Sequence, residues 1–243
     1  MTVLKGEGKV PILFGTTTLP AGGRQHRGYL ARPDLTGQWP TVIVVPDVWG
    51  ISPSIKDLCR KLARWELAAV SVDHFRGTKP AAVSARDEAL RRQAALPAGL
   101  DADLDDIVSF VTNRAGFWSS AEFGFGVLGI GTGAAPAARL AGRSPQAAVA
   151  VVSAPLQPIA GLLATTSGLL GLFGRDDAEV PVDEVIAARG SLPHAELVLY
   201  EGVGADFLDD GQPGYDLEAA TDAVERLVAF FIKHLPPTPR GRS

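Results

Sequence analysis

Phe125-Gly126-Val127-Leu128-Gly129-Ile130-Gly131-Thr132-Gly133-Ala134 decides how this chain folds. Phe125 to Gly129 is a short apolar run of strand length, and it runs directly into a turn with glycine at every second position. The helix-forming stretch Ala135 to Ala141 follows. A strand that turns sharply into a helix is the building unit of a parallel sheet. Gly131, at the centre of the turn, has no side chain to offer to whatever lies above it.

The same alternation continues on both sides. Thr41-Val-Ile-Val-Val45 is a β-branched run bounded by prolines and reads as a buried strand. A helix follows, with Ile55, Leu58, Cys59 and Leu62 at helical spacing, and then a strand from Leu67 to Val72. Asp101 to Arg114 reads as a helix with its aspartates at the N-terminal end, where the helix dipole favours them. Further strands are expected at 125–129, 147–152, 168–173 and 196–200, and Tyr215 to His234 reads as a closing helix. Segments 12–18 and 28–32 look like additional strands at an antiparallel edge, and 78–97 is weakly periodic, as helix or lid. The expected fold class is α/β, with a mostly parallel central sheet and helices on both faces.

Of the 243 residues, 46% are hydrophobic, enough for a substantial core, and no linker divides them, so residues 1–243 read as a single domain. Net charge is −4 with no long basic run, which argues against a nucleic-acid partner. Cys59 is the only cysteine and lies on an apolar helix face, so it reads as core, and neither an intrachain disulfide nor a cysteine-based zinc site is available. The N-terminus lacks the apolar stretch of a signal peptide, and no run of 18 apolar residues occurs. The expectation is a cytoplasmic protein with no membrane span, no metal and no cofactor; the oligomeric state stays open.

Ligands of open α/β sheets bind beyond the carboxyl ends of the strands. That rule selects loops 46–52, 73–79, 129–134, 174–180 and 201–210. They contain Asp47, Trp49, His74, Arg76, Thr132, Asp177, Asp206 and Phe207, among others, and carboxylates dominate. For any one of these aspartates, the plainer explanation is a turn former or helix cap.

In order and spacing, these segments resemble the dienelactone hydrolase family of α/β-hydrolases. The resemblance is carried by Gly28-Tyr-Leu-Ala-Arg-Pro33, Thr41-Val-Ile-Val-Val-Pro-Asp-Val-Trp-Gly-Ile51, Ile55 to Ala63, Val72-Asp-His-Phe-Arg76 and the turn 129–133. It continues in Gly174-Arg-Asp-Asp-Ala-Glu-Val-Pro181 and Tyr200-Glu-Gly-Val-Gly-Ala-Asp-Phe207. The resemblance implies an α/β-hydrolase fold and a small-molecule substrate. It implies a nucleophile elbow at 129–133, with cysteine or serine expected where Gly131 stands. It implies histidine where Ala205 stands, aspartate at Asp177, and a glutamate where Asp47 stands. One triad position of three keeps its residue type. Asp177 and Asp47 are therefore the candidate catalytic residues, with Trp49, Arg76, Gly131, Thr132, Ala205, Asp206 and Phe207 as candidate ligand-binding positions.

Nucleophilic catalysis needs an attacking atom and a base within hydrogen-bond reach. Thr132 lies one step past the elbow centre, and no base is expected beside it. Asp206 follows the position of the missing histidine, and near Asp177 it would suit proton transfer if one of the two carboxyls is protonated. His74 ends a strand and faces either the site or the core. The elbow residue is usually held in strained backbone geometry, which glycine adopts at little cost, so Gly131 is compatible with a fold kept while its hydrolytic role is lost. The chain then reads as a binder or repurposed catalyst of a small, cyclic or aromatic molecule using non-covalent acid/base chemistry, such as an isomerase, lyase or cyclase. A non-catalytic partner protein on the same fold is an alternative. A third reading takes Gly129, Gly131 and Ala134 as a dinucleotide fingerprint, but no acidic residue ends the next strand to hold a ribose.

Overall fold

The structure is a computed structural model that describes residues 8, 10–78, 85–96, 99–112, 118–119, 121–144, 147–164 and 166–235. Among the described residues, eight strands form one sheet. They are β1 (Ile12–Ala21), β2 (Arg24–Pro33), β3 (Thr41–Val45), β4 (Ala68–Val72), β5 (Phe125–Ile130), β6 (Ala148–Val152), β7 (Gly168–Gly174) and β8 (Ala195–Tyr200). The spatial order is β1-β2-β4-β3-β5-β6-β7-β8. The β1–β2 and β2–β4 pairs are antiparallel and the remaining pairs are parallel, so the early segments do form an antiparallel edge.

The helices are α1 (Pro53–Ala63), α2 (Arg86–Ala94), α3 (Leu100–Thr112), α4 (Ala134–Gly142), α5 (Ala160–Leu163), α6 (Val182–Ser191) and α7 (Leu217–His234). Alternate side chains of a strand point to opposite faces of the sheet. Val42 and Val44 accordingly join Leu128, Leu170 and Leu172 against α1 and α7. Ile43 and Val45 join Val70 and Val127 on the other face, under α3 and α4. Every residue of β3 is buried, as the unbroken β-branched run suggested.

Helix boundaries move by a few residues for identifiable reasons. Helix α7 begins at Leu217, not Tyr215, because the Asp216 carboxylate caps it by accepting from the Ala219 N–H at 2.8 Å. Within 78–97, residues 86–94 are helical, while 79–84 and 97 lie outside the described residues. Arg114, the expected end of α3, lies outside them as well.

The turn from β5 into α4 is tight because strand and helix lie almost in contact. A Cβ on Gly129 would stand 2.5 Å from Ala134 Cα and 2.8 Å from Ala137 Cβ. Gly133 is likewise pressed against the Val45 carbonyl. Gly129→Ala should therefore destabilise the fold by about 1–3 kcal/mol in urea unfolding. Gly15→Ala, with nothing within 4 Å of its Cβ position, should be neutral or stabilising.

Candidate functional site

At the carboxyl ends of β3, β5, β6 and β8 the loops enclose a cleft of about 590 Å³, open mouth included. Asp47, Gly131, Ala205 and Asp206 come from three separate loops and all line it. Ile55, Leu58, Ile130 and Leu208 supply apolar wall.

Asp47 follows β3 and projects over the β5–α4 turn. Its Oδ1 accepts hydrogen bonds from the Thr132 backbone N–H at 2.9 Å and from the Thr132 hydroxyl at 2.8 Å. Its Oδ2 accepts from Arg86 Nη1 at 2.8 Å. Arg86, the first residue of α2, also donates from Nε and Nη2 to the two oxygens of Glu179, each at 2.8 Å. One guanidinium thus ties the β3 loop to the β7 loop. Bonding to Glu179, and secondarily to Asp47, raises the affinity of Arg86 for its proton despite partial burial.

Gly131 has φ +52°, a conformation that favours glycine. A Cβ there would also lie 2.5 Å from Asp47 Cγ and 2.6 Å from its Oδ1. The Asp47 carboxylate therefore occupies the space in which a side chain on residue 131 would begin.

Asp206 lines the cleft, and no hydrogen-bond donor reaches its carboxyl group among the described residues. Burial raises its pKa. Arg86 opposes this, while Asp47, Asp209 and Glu179 add to it. Ser153 follows β6 with φ +48°, and its buried Oγ has no hydrogen-bond partner although the residue lines the cleft. Positive φ in a non-glycine residue is a strained conformation that clusters at functional sites.

Asp177 is buried and is not among the residues lining the cleft. Its Oδ1 accepts the Glu179 N–H at 2.8 Å, while Oδ2 has no partner. Burial raises its pKa, against the backbone hydrogen bonds from Glu179 and Val180. Trp49 lines the cleft but is largely buried beside Val48 and Ala89. Thr132 turns its side chain to a neighbouring depression, where Gln93 Nε2 donates to its Oγ1 at 3.0 Å. Arg76 opens onto that depression too, held to Asp103 at 3.0 Å. Phe207 is fully buried in the core, its ring 5.2 Å from that of Tyr200, so it supports the loop from behind. His74 is buried with both ring nitrogens unpartnered, and burial lowers its pKa to about 4.

Sequence reasoning missed Arg86 and Ser153. Arg86 sits in the weakly periodic 78–97 segment, where no pattern distinguishes it from its neighbouring arginines. Ser153 was within reach of the strand-end rule, since it directly follows β6.

The strand order and the helices on both faces define an α/β-hydrolase fold. A profile of the dienelactone hydrolase family matches residues 26–235, and the chain belongs to that family. It is 27% identical over 239 residues to a Yersinia pestis protein named "putative carboxymethylenebutenolidase", covering 90% of this chain and 88% of that one. It is 28% identical to the Escherichia coli K12 protein of the same name, covering 92% and 88%. Among solved structures, one titled a "putative dienelactone hydrolase" from Klebsiella pneumoniae superposes with a TM-score of 0.76 at 28% identity, over 91% of this chain and 98% of that one. A dienelactone hydrolase-like promiscuous phosphotriesterase from metagenomic libraries gives 0.75 at 17% identity, over 93% and 99%, and shows the shared fold.

Two outcomes test the site geometry. Gly131→Ala should destabilise by about 1–3 kcal/mol through the Asp47 clash and the positive φ. In the Asp47→Ala background the same change should cost measurably less, and a double-mutant cycle reads that coupling. The pKa of Asp206 is higher folded than unfolded, so its favourable contribution is complete below the unfolded value. It is lost as pH rises through the folded value. Asp206→Asn should therefore raise Tm at pH 7, with the gain vanishing near pH 4.

Proposed function

We propose that this protein takes a small, cyclic or aromatic molecule into the Asp47–Ala205 cleft and works on it by non-covalent acid/base chemistry, without an acyl-enzyme. The observation that carries this reading is the position of the Asp47 carboxylate. In an α/β-hydrolase, the backbone N–H of the residue after the nucleophile is one of the donors aimed at the developing oxyanion. Here the corresponding donor is the Thr132 N–H, and it is bonded to Asp47 Oδ1 at 2.9 Å. The same carboxylate comes within 2.5 Å of where a Cβ on residue 131 would stand. One anionic group thus crowds the starting point of an attacking side chain and engages a hydrogen-bond donor that acyl transfer requires.

The remaining triad positions fit that reading. Ala205 supplies no imidazole to act as base. Asp177, whose part in the family is to orient such an imidazole, has no histidine to hold. Asp206 is the carboxyl group left for proton transfer, since it faces the cleft, accepts no hydrogen bond from the described residues and has its pKa raised by burial. A positioned carboxyl of raised pKa is what isomerase, lyase or cyclase chemistry needs, and none of these requires a covalent intermediate. A dinucleotide is a poor fit to the glycine turn, because its pyrophosphate would meet the Asp47 carboxylate at the helix N-terminus.

The test is acyl-transfer kinetics on p-nitrophenyl acetate and an enol lactone. Wild-type rates should stay near the solution background, with no burst and no acyl adduct in the intact-protein mass. Gly131→Cys combined with Ala205→His should gain little while Asp47 remains. Adding Asp47→Ala should raise the rate by about tenfold or more by clearing the elbow and its amide donor. A wild-type burst, with one acylated side chain located by peptide mapping, would refute the reading.

A further inference from the structure

The charge of the cleft wall narrows the ligand class. Three carboxylates, Asp47, Asp206 and Asp209, line it together with a single guanidinium, Arg86. That guanidinium is already engaged by two carboxylates, Asp47 and Glu179, through three hydrogen bonds of 2.8 Å. Among the described residues, no cation in the wall is free to receive an anionic ligand. Asp209 is partly satisfied, accepting from the Ser54 hydroxyl and from the Gly211 N–H at 2.9 Å. Asp206 receives no donor among the described residues.

A second, independent feature lies in the same wall. The Ser153 hydroxyl is buried, has no hydrogen-bond partner among the described residues, and is presented by a backbone at φ +48°. A buried hydroxyl without a partner costs about 1–3 kcal/mol, which a ligand donor or acceptor would relieve. The wall also carries apolar side chains, Ile55, Leu58, Ile130 and Leu208.

We propose that the ligand of this cleft is an organic cation, a protonated amine on an apolar ring-sized body, whose ammonium group is held by Asp206 and the Ser153 hydroxyl. This rests on the reading of the cleft as a small-molecule site. A carboxylate-bearing ligand would meet three wall carboxylates in a partly desolvated space, with no unengaged cation among the described residues to offset them. An ammonium group brings donors for the Asp206 oxygens and the Ser153 oxygen, while its apolar body displaces water from the four aliphatic side chains. It also relieves the mutual repulsion of Asp206, Asp47, Asp209 and Glu179, the groups that, together with burial, keep Asp206 prone to hold a proton. Binding should therefore weaken on acidification, as protons compete with the amine for Asp206.

Matched probes of one shape separate the alternatives: benzylamine, benzyl alcohol and benzoate, titrated by amide NMR at pH 7. Benzylamine should shift the amides of Gly131, Ser153 and Ala205 saturably, with a Kd at least about tenfold below that of benzyl alcohol. Benzoate should give no shifts at these amides. Asp206→Asn should abolish the advantage of benzylamine over benzyl alcohol. Ser153→Ala, a second variant outside the carboxylate group, should weaken benzylamine several-fold. Benzoate or benzyl alcohol binding as tightly as benzylamine, or an unchanged benzylamine advantage in Asp206→Asn, would overturn the charge assignment and leave the small-molecule reading standing. If none of the three probes shifts these amides, the small-molecule reading falls and this inference with it.

Discussion

The carboxylate of Asp47 joins three parts of the chain that are distant in sequence. It accepts from Arg86 on α2 and from both the backbone and the hydroxyl of Thr132 on the β5–α4 turn, and Arg86 passes the connection on to Glu179 beyond β7. Its side chain is only 12% exposed, so water does little to screen it. Removing one partner of such a pair leaves the other charge poorly compensated, which is far more costly than losing an exposed ion pair. The mouth of the cleft is organised around this carboxylate, and the network can exist only because residue 131 has no Cβ.

Two physical requirements meet at Gly131. The turn needs positive φ, which any residue at an elbow would have to tolerate as strain. The space above it is filled by a carboxylate that a Cβ would approach to 2.5 Å. Glycine satisfies both at once. Its neighbours Gly129 and Gly133 answer a different need, the near contact of β5 and α4 with each other and with β3. The three glycines of one short motif therefore have separate causes. This is why the motif fits a nucleophile elbow and a dinucleotide turn equally well when read by spacing alone.

Much of the fold was legible because it rests on local patterns. The β-branched run Thr41–Val45 can be satisfied only by burial on both faces, and the spacing of Ile55, Leu58, Cys59 and Leu62 gives α1 a single inward face. The strand-end rule found the loops of Asp47, Gly131 and Ala205 for the same reason, since a parallel sheet puts all its carboxyl ends on one side. What stayed hidden depends on contacts across the sheet. Arg86 is one arginine among several in an Ala-Arg-rich segment, and only the approach of Asp47 and Glu179 singles it out. Phe207 lies next to Asp206 in sequence yet turns into the core beside Tyr200, because the loop needs an apolar anchor behind it. Arg76 follows a strand end, but Asp103 on α3 draws it to another surface.

A scaffold kept only for its shape has no evident use for the groups that remain in this cleft. Ser153 holds a strained backbone and a buried hydroxyl with no partner. Asp206 holds a half-buried carboxyl group that no donor among the described residues satisfies. Each is unfavourable for the isolated chain, and simple substitutions, glycine at 153 or asparagine at 206, would relieve it. Strain and unpaired polarity of this kind cluster where a bound molecule compensates for them. Both groups lie in the wall of one cavity, beside an elbow whose centre has been given over to a carboxylate. That combination favours a cleft that serves a ligand over a surface retained for packing alone, and it is the ground for the proposed carboxyl-based chemistry.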